Sequence, residues 1–111
     1  MEMAQAHRRL GAAVTVIESA RALGREDPEV AAFVLDSLRA DGVTIMENVN
    51  IEKIAARKNT RPTKIDVHTA AGKISGTHLL VATGRTANIE RLNLPAAGVD
   101  TTRTPAGQPC I

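Results

Sequence analysis

Two stretches of this 111-residue chain place ligand-binding residue types where a fold could use them. The β-branched run Val14-Thr15-Val16-Ile17 ends in Glu18, which puts a carboxylate, an acceptor for a ligand's hydroxyl groups, at the end of a strand. Further on, the apolar run His78 to Ala82 ends in Thr83-Gly84-Arg85, a turn whose glycine lets the backbone come close to a bound group. The other reactive side chains do not assemble in this way. His7, His68 and His78 are far apart and lack metal-ligand spacing, so they read as structural. Cys110 stands alone beside the C-terminus, which rules out a disulfide within one chain and fits a reducing cytoplasm.

The elements that must position these residues can be read in order. Met3, Ala6, His7 and Leu10 draw one stripe on a helix spanning Met1 to Leu10 and stopping at Gly11. Neither Met1 nor Glu2 is a natural N-cap, so a start lying upstream of Met1 is expected. After the strand Val14–Ile17, Asp27-Pro28-Glu29 supplies an N-cap, a proline at the first helical position and an acid in the first turn. Ala31, Val34, Leu35 and Leu38 follow at helical spacing and Gly42 closes the helix. Val43–Met46 and Asn48–Ala56 read as strands, Arg57–Pro62 as a solvated basic hairpin tip, and Ile65–Thr69 and Lys73–Ser75 as a hairpin. The hairpin turns through Ala70-Ala71-Gly72, with glycine where positive φ is needed. His78–Ala82 is almost continuously apolar, as in a strand covered on both faces, and Thr101–Ile111 reads as a loose tail. Helix, strand, helix, strand, antiparallel meander and buried strand together predict an α/β fold: an incomplete, Rossmann-like doubly wound domain without its first strand and glycine loop.

Composition narrows the function classes. Phe33 is the only aromatic residue, so the core must be built from Ala, Val, Ile and Leu. The 14 basic and 12 acidic residues are dispersed, and no aromatic side chain accompanies the basic ones to stack a base, which argues against a nucleic-acid partner. No apolar run is long enough for a membrane helix and no signal peptide is visible, so a soluble cytoplasmic protein without a membrane partner is expected.

The segment Ala82-Thr83-Gly84-Arg85-Thr86-Ala87-Asn88 resembles the "ATGR.PN" segment of the FAD- and NAD(P)-dependent pyridine nucleotide-disulfide oxidoreductases, with Ala87 in place of the usual proline. Leu92-Asn93-Leu94 and Ala97-Gly98-Val99 follow at that family's spacing, and Met1–Leu10 is similar to its helix just past the glycine-rich loop. Arg25-Glu26-Asp27-Pro28 and the alanine-rich flanks look closer to mercuric reductase and dihydrolipoamide dehydrogenase-like members than to glutathione reductases. The resemblance implies that residues 1–84 are part of an NAD(P)-binding domain and that 85–111 begin the return towards an FAD domain. It implies that Glu2 lies near the meeting place of nicotinamide and flavin, and that Ile51 packs on the adenine. Thr83 and Gly84 would face the dinucleotide, and Arg85 and Asn88 would begin the return crossing.

In such a fold Glu18 would accept hydrogen bonds from a ribose 2′-hydroxyl, favouring NAD, while Arg21 and Arg25 keep NADP open. Plainer readings stand beside these: an exposed helical Glu2, a strand-end Glu18, an ordinary strand residue at Ile51 and a bland turn at Thr83-Gly84-Arg85. The glycine fingerprint G-x-G-x-x-G is absent, as are the family's redox cysteine pair and its acid/base histidine. The implied parent reaction is hydride transfer from NAD(P)H to FAD and on to a disulfide or metal acceptor, with no turnover and no bound cofactor expected of these residues alone. The alternative is a small non-enzymatic α/β module that self-associates through unpaired strand edges, and a homodimer is expected.

Overall fold

The computed structural model of the chain describes residues 1–57, 61, 63–85, 88–89 and 91–99. Most of the basic hairpin tip, Thr86-Ala87 of the return segment and the tail Thr101–Ile111 lie outside the described residues. The chain divides into two compact units, Met1–Leu79 and Leu80–Ile111.

The first unit opens with helix α1 (Glu2–Arg9), followed by β1 (Thr15–Ile17), helix α2 (Pro28–Ala40) and β2 (Thr44–Met46). β1 and β2 pair in parallel, Thr15 with Thr44 through Ile17 with Met46, and α2 is the crossover between them. The pairing continues past the last rung, since the Glu18 amide donates to the Met46 carbonyl at 2.9 Å. Three antiparallel strands complete the unit: β3 (Ile51–Arg57), β4 (Lys64–Thr69) and β5 (Gly72–Gly76), in that order across the sheet. The structure is therefore mixed α/β, with a parallel pair and an antiparallel meander.

Helix α2 forms where the sequence predicts, and for the reasons it gives. The Asp27 carboxylate accepts from the Glu29 and Val30 amides, at 2.9 and 3.3 Å, satisfying two of the helix's orphan donors ahead of Pro28. Ala31, Leu35 and Leu38 are buried and join Ala22, Val43 and Val67 in the core. Phe33, on another face, is 78% exposed. The helix ends because Gly42 adopts φ +90°, and a Cβ there would sit 2.7 Å from Nε of Arg8. The β4–β5 turn follows the prediction as well: Gly72 has φ +127° and its carbonyl accepts from the Thr69 hydroxyl at 2.8 Å.

The α1 stripe does not face the core: Met3 is 51% and Leu10 85% exposed, Ala6 and His7 are exposed, and no residue of α1 is buried. Its inner side carries Ala4, Gln5 and Arg8, because polar contacts decide how the helix sits. Gln5 Nε2 donates to Asp41 Oδ2 at 2.8 Å, Arg8 Nε to the Asp41 carbonyl at 2.9 Å, and Arg9 Nη2 lies 3.0 Å from Oδ2. The Gln5 bond, with Arg9 and Arg8 nearby, holds the Asp41 carboxyl below the ordinary carboxylate range despite its partial desolvation.

The expectation of a buried strand at His78–Ala82 is corrected: the segment is not a strand, and Leu80 is 66% and Val81 68% exposed. An apolar run is a buried strand only where neighbours pair with it and cover it, and no described strand pairs with this one. The second unit contains a short 3₁₀ helix, Leu94–Ala97, between Asn93 and Gly98, both left-handed.

Candidate functional site

The carboxyl ends of β1 and β2 are tied into one surface by main-chain bonds. Glu18, at the end of β1, is half-buried, and its carbonyl accepts from the Val49 amide at 3.0 Å, so the segment after β2 is fastened to the strand end. The Glu18 side chain turns onto the loop that follows it: Oε1 accepts from the Ala20 amide at 3.1 Å and the Ser19 hydroxyl at 3.3 Å. That arrangement fixes the carboxylate at the mouth of the parallel pair, where open α/β sheets take ligands. Ile51 follows two residues after Val49, opens β3 opposite Thr69, and is 45% exposed. The fold thus joins the Glu18 end of β1 to the start of the strand that carries Ile51.

Glu47 is a residue that the sequence did not single out. Its Oε1 accepts from the Ala22 amide at 2.8 Å and its Oε2 from Arg39 Nη2 at 3.1 Å, while the Asn48 amide donates to the Ala20 carbonyl at 3.0 Å. The loop after β1 is therefore held by β2 and α2 together, and Ala22 is completely buried. Leu23 takes φ +55° within this loop and Asn48 φ +56° at the end of β2, so both connections place a non-glycine residue in the left-handed region. Arg21 and Arg25 are exposed on the same loop.

Helices α1 and α2 meet through polar side-chain contacts and a shared groove. The end of α1 meets Asp41 at the end of α2, and the start of α1 meets the middle of α2 across a shallow groove. Exposed Glu2 lines that groove with Met1 and Gln5, opposite Phe33, Val34, Ser37 and Leu38. Thr83, Gly84 and Arg85 belong to the other compact unit. All three are exposed there, and Gly84 has φ +140° with open space where a Cβ would lie. The structure joins Glu18 to the Ile51 segment; Glu2 is placed separately at the helix groove.

The histidines make local contacts: His7 Nδ1 bonds the Met3 carbonyl at 2.8 Å, and His78 Nδ1 lies 3.0 Å from the Thr77 hydroxyl. Among the described residues no group of three His, Cys, Asp or Glu side chains could hold a metal ion, and no helix is long and apolar enough to cross a membrane.

A carboxylate-ended parallel pair, a crossover helix and a following meander define a mixed α/β chain like those of FAD- and NAD-binding oxidoreductases. Its described fold is similar to a ferredoxin reductase from Rhodopseudomonas palustris, with TM-score 0.74 and 27% identity over 91% of this chain and 24% of that one. The flavoprotein disulfide reductase RclA from Escherichia coli, solved as a Cu(II) complex, superposes with TM-score 0.75 and 29% identity, covering 99% of this chain and 24% of that one.

The sequence pattern of the pyridine nucleotide-disulphide oxidoreductase family matches residues 1–107, and the chain belongs to that family. It is mercuric reductase-like: 37% identical over 107 residues to the Shigella flexneri mercuric reductase, covering 96% of this chain. The Acidithiobacillus ferrooxidans mercuric reductase is 36% identical over 99 residues. The chain spans 19% and 17% of the length of these two relatives.

Proposed function

We propose that residues 1–84 are the nicotinamide-dinucleotide-binding part of a flavin-dependent oxidoreductase, incomplete in the doubly wound sense, and that residues 85–111 lead on towards its flavin domain. The observation that carries this is the fixed Glu18 carboxylate at the end of β1, with the Ile51 segment bonded to the same strand end. The donor set fits the adenosine half of a dinucleotide. A carboxylate accepts hydroxyl protons and a half-exposed Ile51 offers an apolar surface to a purine ring.

Glu18 would repel a 2′-phosphate, which favours NAD; exposed Arg21 and Arg25 are the groups that would accommodate NADP. Glu2, Thr83, Gly84 and Arg85 are assigned to the nicotinamide side and to the return crossing. The phosphate-cradling G-x-G-x-x-G is not among these 111 residues, so binding here is to the adenosine end and weak.

When bound, the nicotinamide and flavin supply hydride and electron transfer, in the parent reaction towards a disulfide or a metal ion. The residues of this chain contribute binding and orientation alone, and alone they have no turnover. A cytoplasmic setting is part of the same proposal. The test is nuclear magnetic resonance with NADH and NADPH. Shifts at Glu18, Val49 and Ile51 that are larger with NADH, and lost in Glu18→Ala, are the expected result. Shifts elsewhere, or reductase activity in a flavin-free sample of the chain, overturn the reading.

A second reading has its own observation. β1 pairs with β2 alone among the described strands, and Leu80 and Val81 are exposed, so open edges and apolar surface are available to a second copy in a homodimer. Light scattering over a concentration series tests this, and a monomer throughout excludes it.

A further inference from the structure

The basic residues are dispersed in the sequence, but the register of the meander collects them on one face. Residues directly opposite one another across a sheet point the same way, and here three cross-strand rows share one side. Lys53, His68 and Lys73 form the first row, Ala55, Asp66 and Ser75 the second, and Arg57 with Lys64 the third. Asp66 is the only carboxylate in these rows. It is enclosed: Arg57 holds both its oxygens, at 2.9 and 3.0 Å, Ser75 donates to it at 2.6 Å, and Lys73 lies 3.8 Å away.

The four cations around Asp66 are exposed. Charge is also divided along the chain. Ile51–Gly76 holds six of the 14 basic residues and two of the 12 acidic ones, whereas residues 1–47 hold five basic and eight acidic. The cationic face is therefore a local feature against a net acidic remainder of the same unit.

From this juxtaposition we propose that the β3–β5 face is a docking surface for an acidic protein segment lying along the strands. Lys53 and Lys73 are two strands apart, ~10 Å, and Lys53 and Arg57 are ~14 Å apart along β3, a spread that matches carboxylates on one side of a peptide. Proteins are favoured over nucleic acid because the only Phe, Tyr or Trp in the sequence, Phe33, is on α2, so this face lacks the large aromatic platforms on which successive bases stack. Asp66 fixes Arg57 in place beside the exposed Lys53 and Lys73.

The probe is a poly-L-glutamate peptide added to the 111-residue chain at low salt, followed by amide shifts and by fluorescence anisotropy of the labelled peptide. The expected shifts fall on β3, β4 and β5. Lys53→Gln with Lys73→Gln weakens binding about tenfold, as two exposed ion pairs in the upper half of their usual range would. Arg91→Gln with Arg103→Gln, equal in net charge, changes it by less than about twofold. Equal weakening by both pairs, wild-type shifts that avoid the meander, or tighter binding of single-stranded DNA at the same face would overturn the proposal. The wild-type shift pattern decides the matter even if a double variant loses its far-UV circular dichroism.

Discussion

Replacing Leu38 by alanine tests whether α2 turns toward the core the face bearing Ala31, Leu35 and Leu38. Leu38 is 3% exposed, and the change removes three carbon groups, about 2.4 kcal/mol at ~0.8 kcal/mol each, with a further fraction for whatever cavity persists. About 3 kcal/mol is the expected loss. That is more than half of a stability on the order of 5 kcal/mol, typical of a small domain. In urea, with a slope near 1.5 kcal/mol/M, the midpoint falls by about 2 M with the slope unchanged. Phe33→Ala is the internal control: a larger side chain on the same helix, but so exposed that its removal costs less than about 0.5 kcal/mol. Far-UV circular dichroism of both variants and wild type gives the comparison. If Phe33→Ala costs as much as Leu38→Ala, the inward face of α2 is not the one described.

Removing the cap with Asp27→Ala costs about 1 kcal/mol by the same assay, because the Glu29 and Val30 amides lose their acceptor. Glu47→Ala releases the loop after β1; hydrogen exchange at the Ala22 amide, now bonded to that carboxylate at 2.8 Å, accelerates while the meander amides do not. Asp66 sets an acid limit. The Ser75 hydroxyl and Arg57 depress its carboxyl below 3.8, so its contribution is complete above that pH and is lost as pH falls through the lower folded value. Wild type therefore loses urea resistance below about pH 4 more steeply than Asp66→Asn. A parallel decline in both would place the acid sensitivity elsewhere, Asp41 being the next candidate because its carboxyl is lowered in the same sense.

What could be read from the sequence was local. Asp27-Pro28-Glu29 and Gly42 define α2 because capping and left-handed exit are properties of a few adjacent residues, and Gly72 marks its turn for the same reason. The orientation of α1 was not legible. Its apolar periodicity is real, but the face it presents is set by Asp41, more than thirty residues away, which holds Gln5, Arg8 and Arg9. His78–Ala82 failed likewise, since an apolar run states a need for cover without supplying it. At the candidate site Glu18 was visible as the acid ending a β-branched run. Glu47 was not, because its importance lies in a bond to the Ala22 amide on another connection. The cationic face was hidden for the opposite reason: residues spread from Lys53 to Lys73 became neighbours through pairing register, including an irregularity between Ile51 and Lys53.

The two sheets differ in how far apart their paired residues lie along the chain, and this sets an order of assembly. β3, β4 and β5 are joined by short connections, so their ladders can zip from the turns within microseconds once nucleated. Thr15 meets Thr44 only after about thirty intervening residues have been gathered into loop and helix, a larger closure entropy for three rungs of ladder. The parallel pair closes only when α2 and β2 have both been gathered behind β1, whereas the meander needs only its own turns. The parallel pair that carries Glu18 is thus the slower of the two sheets to become rigid.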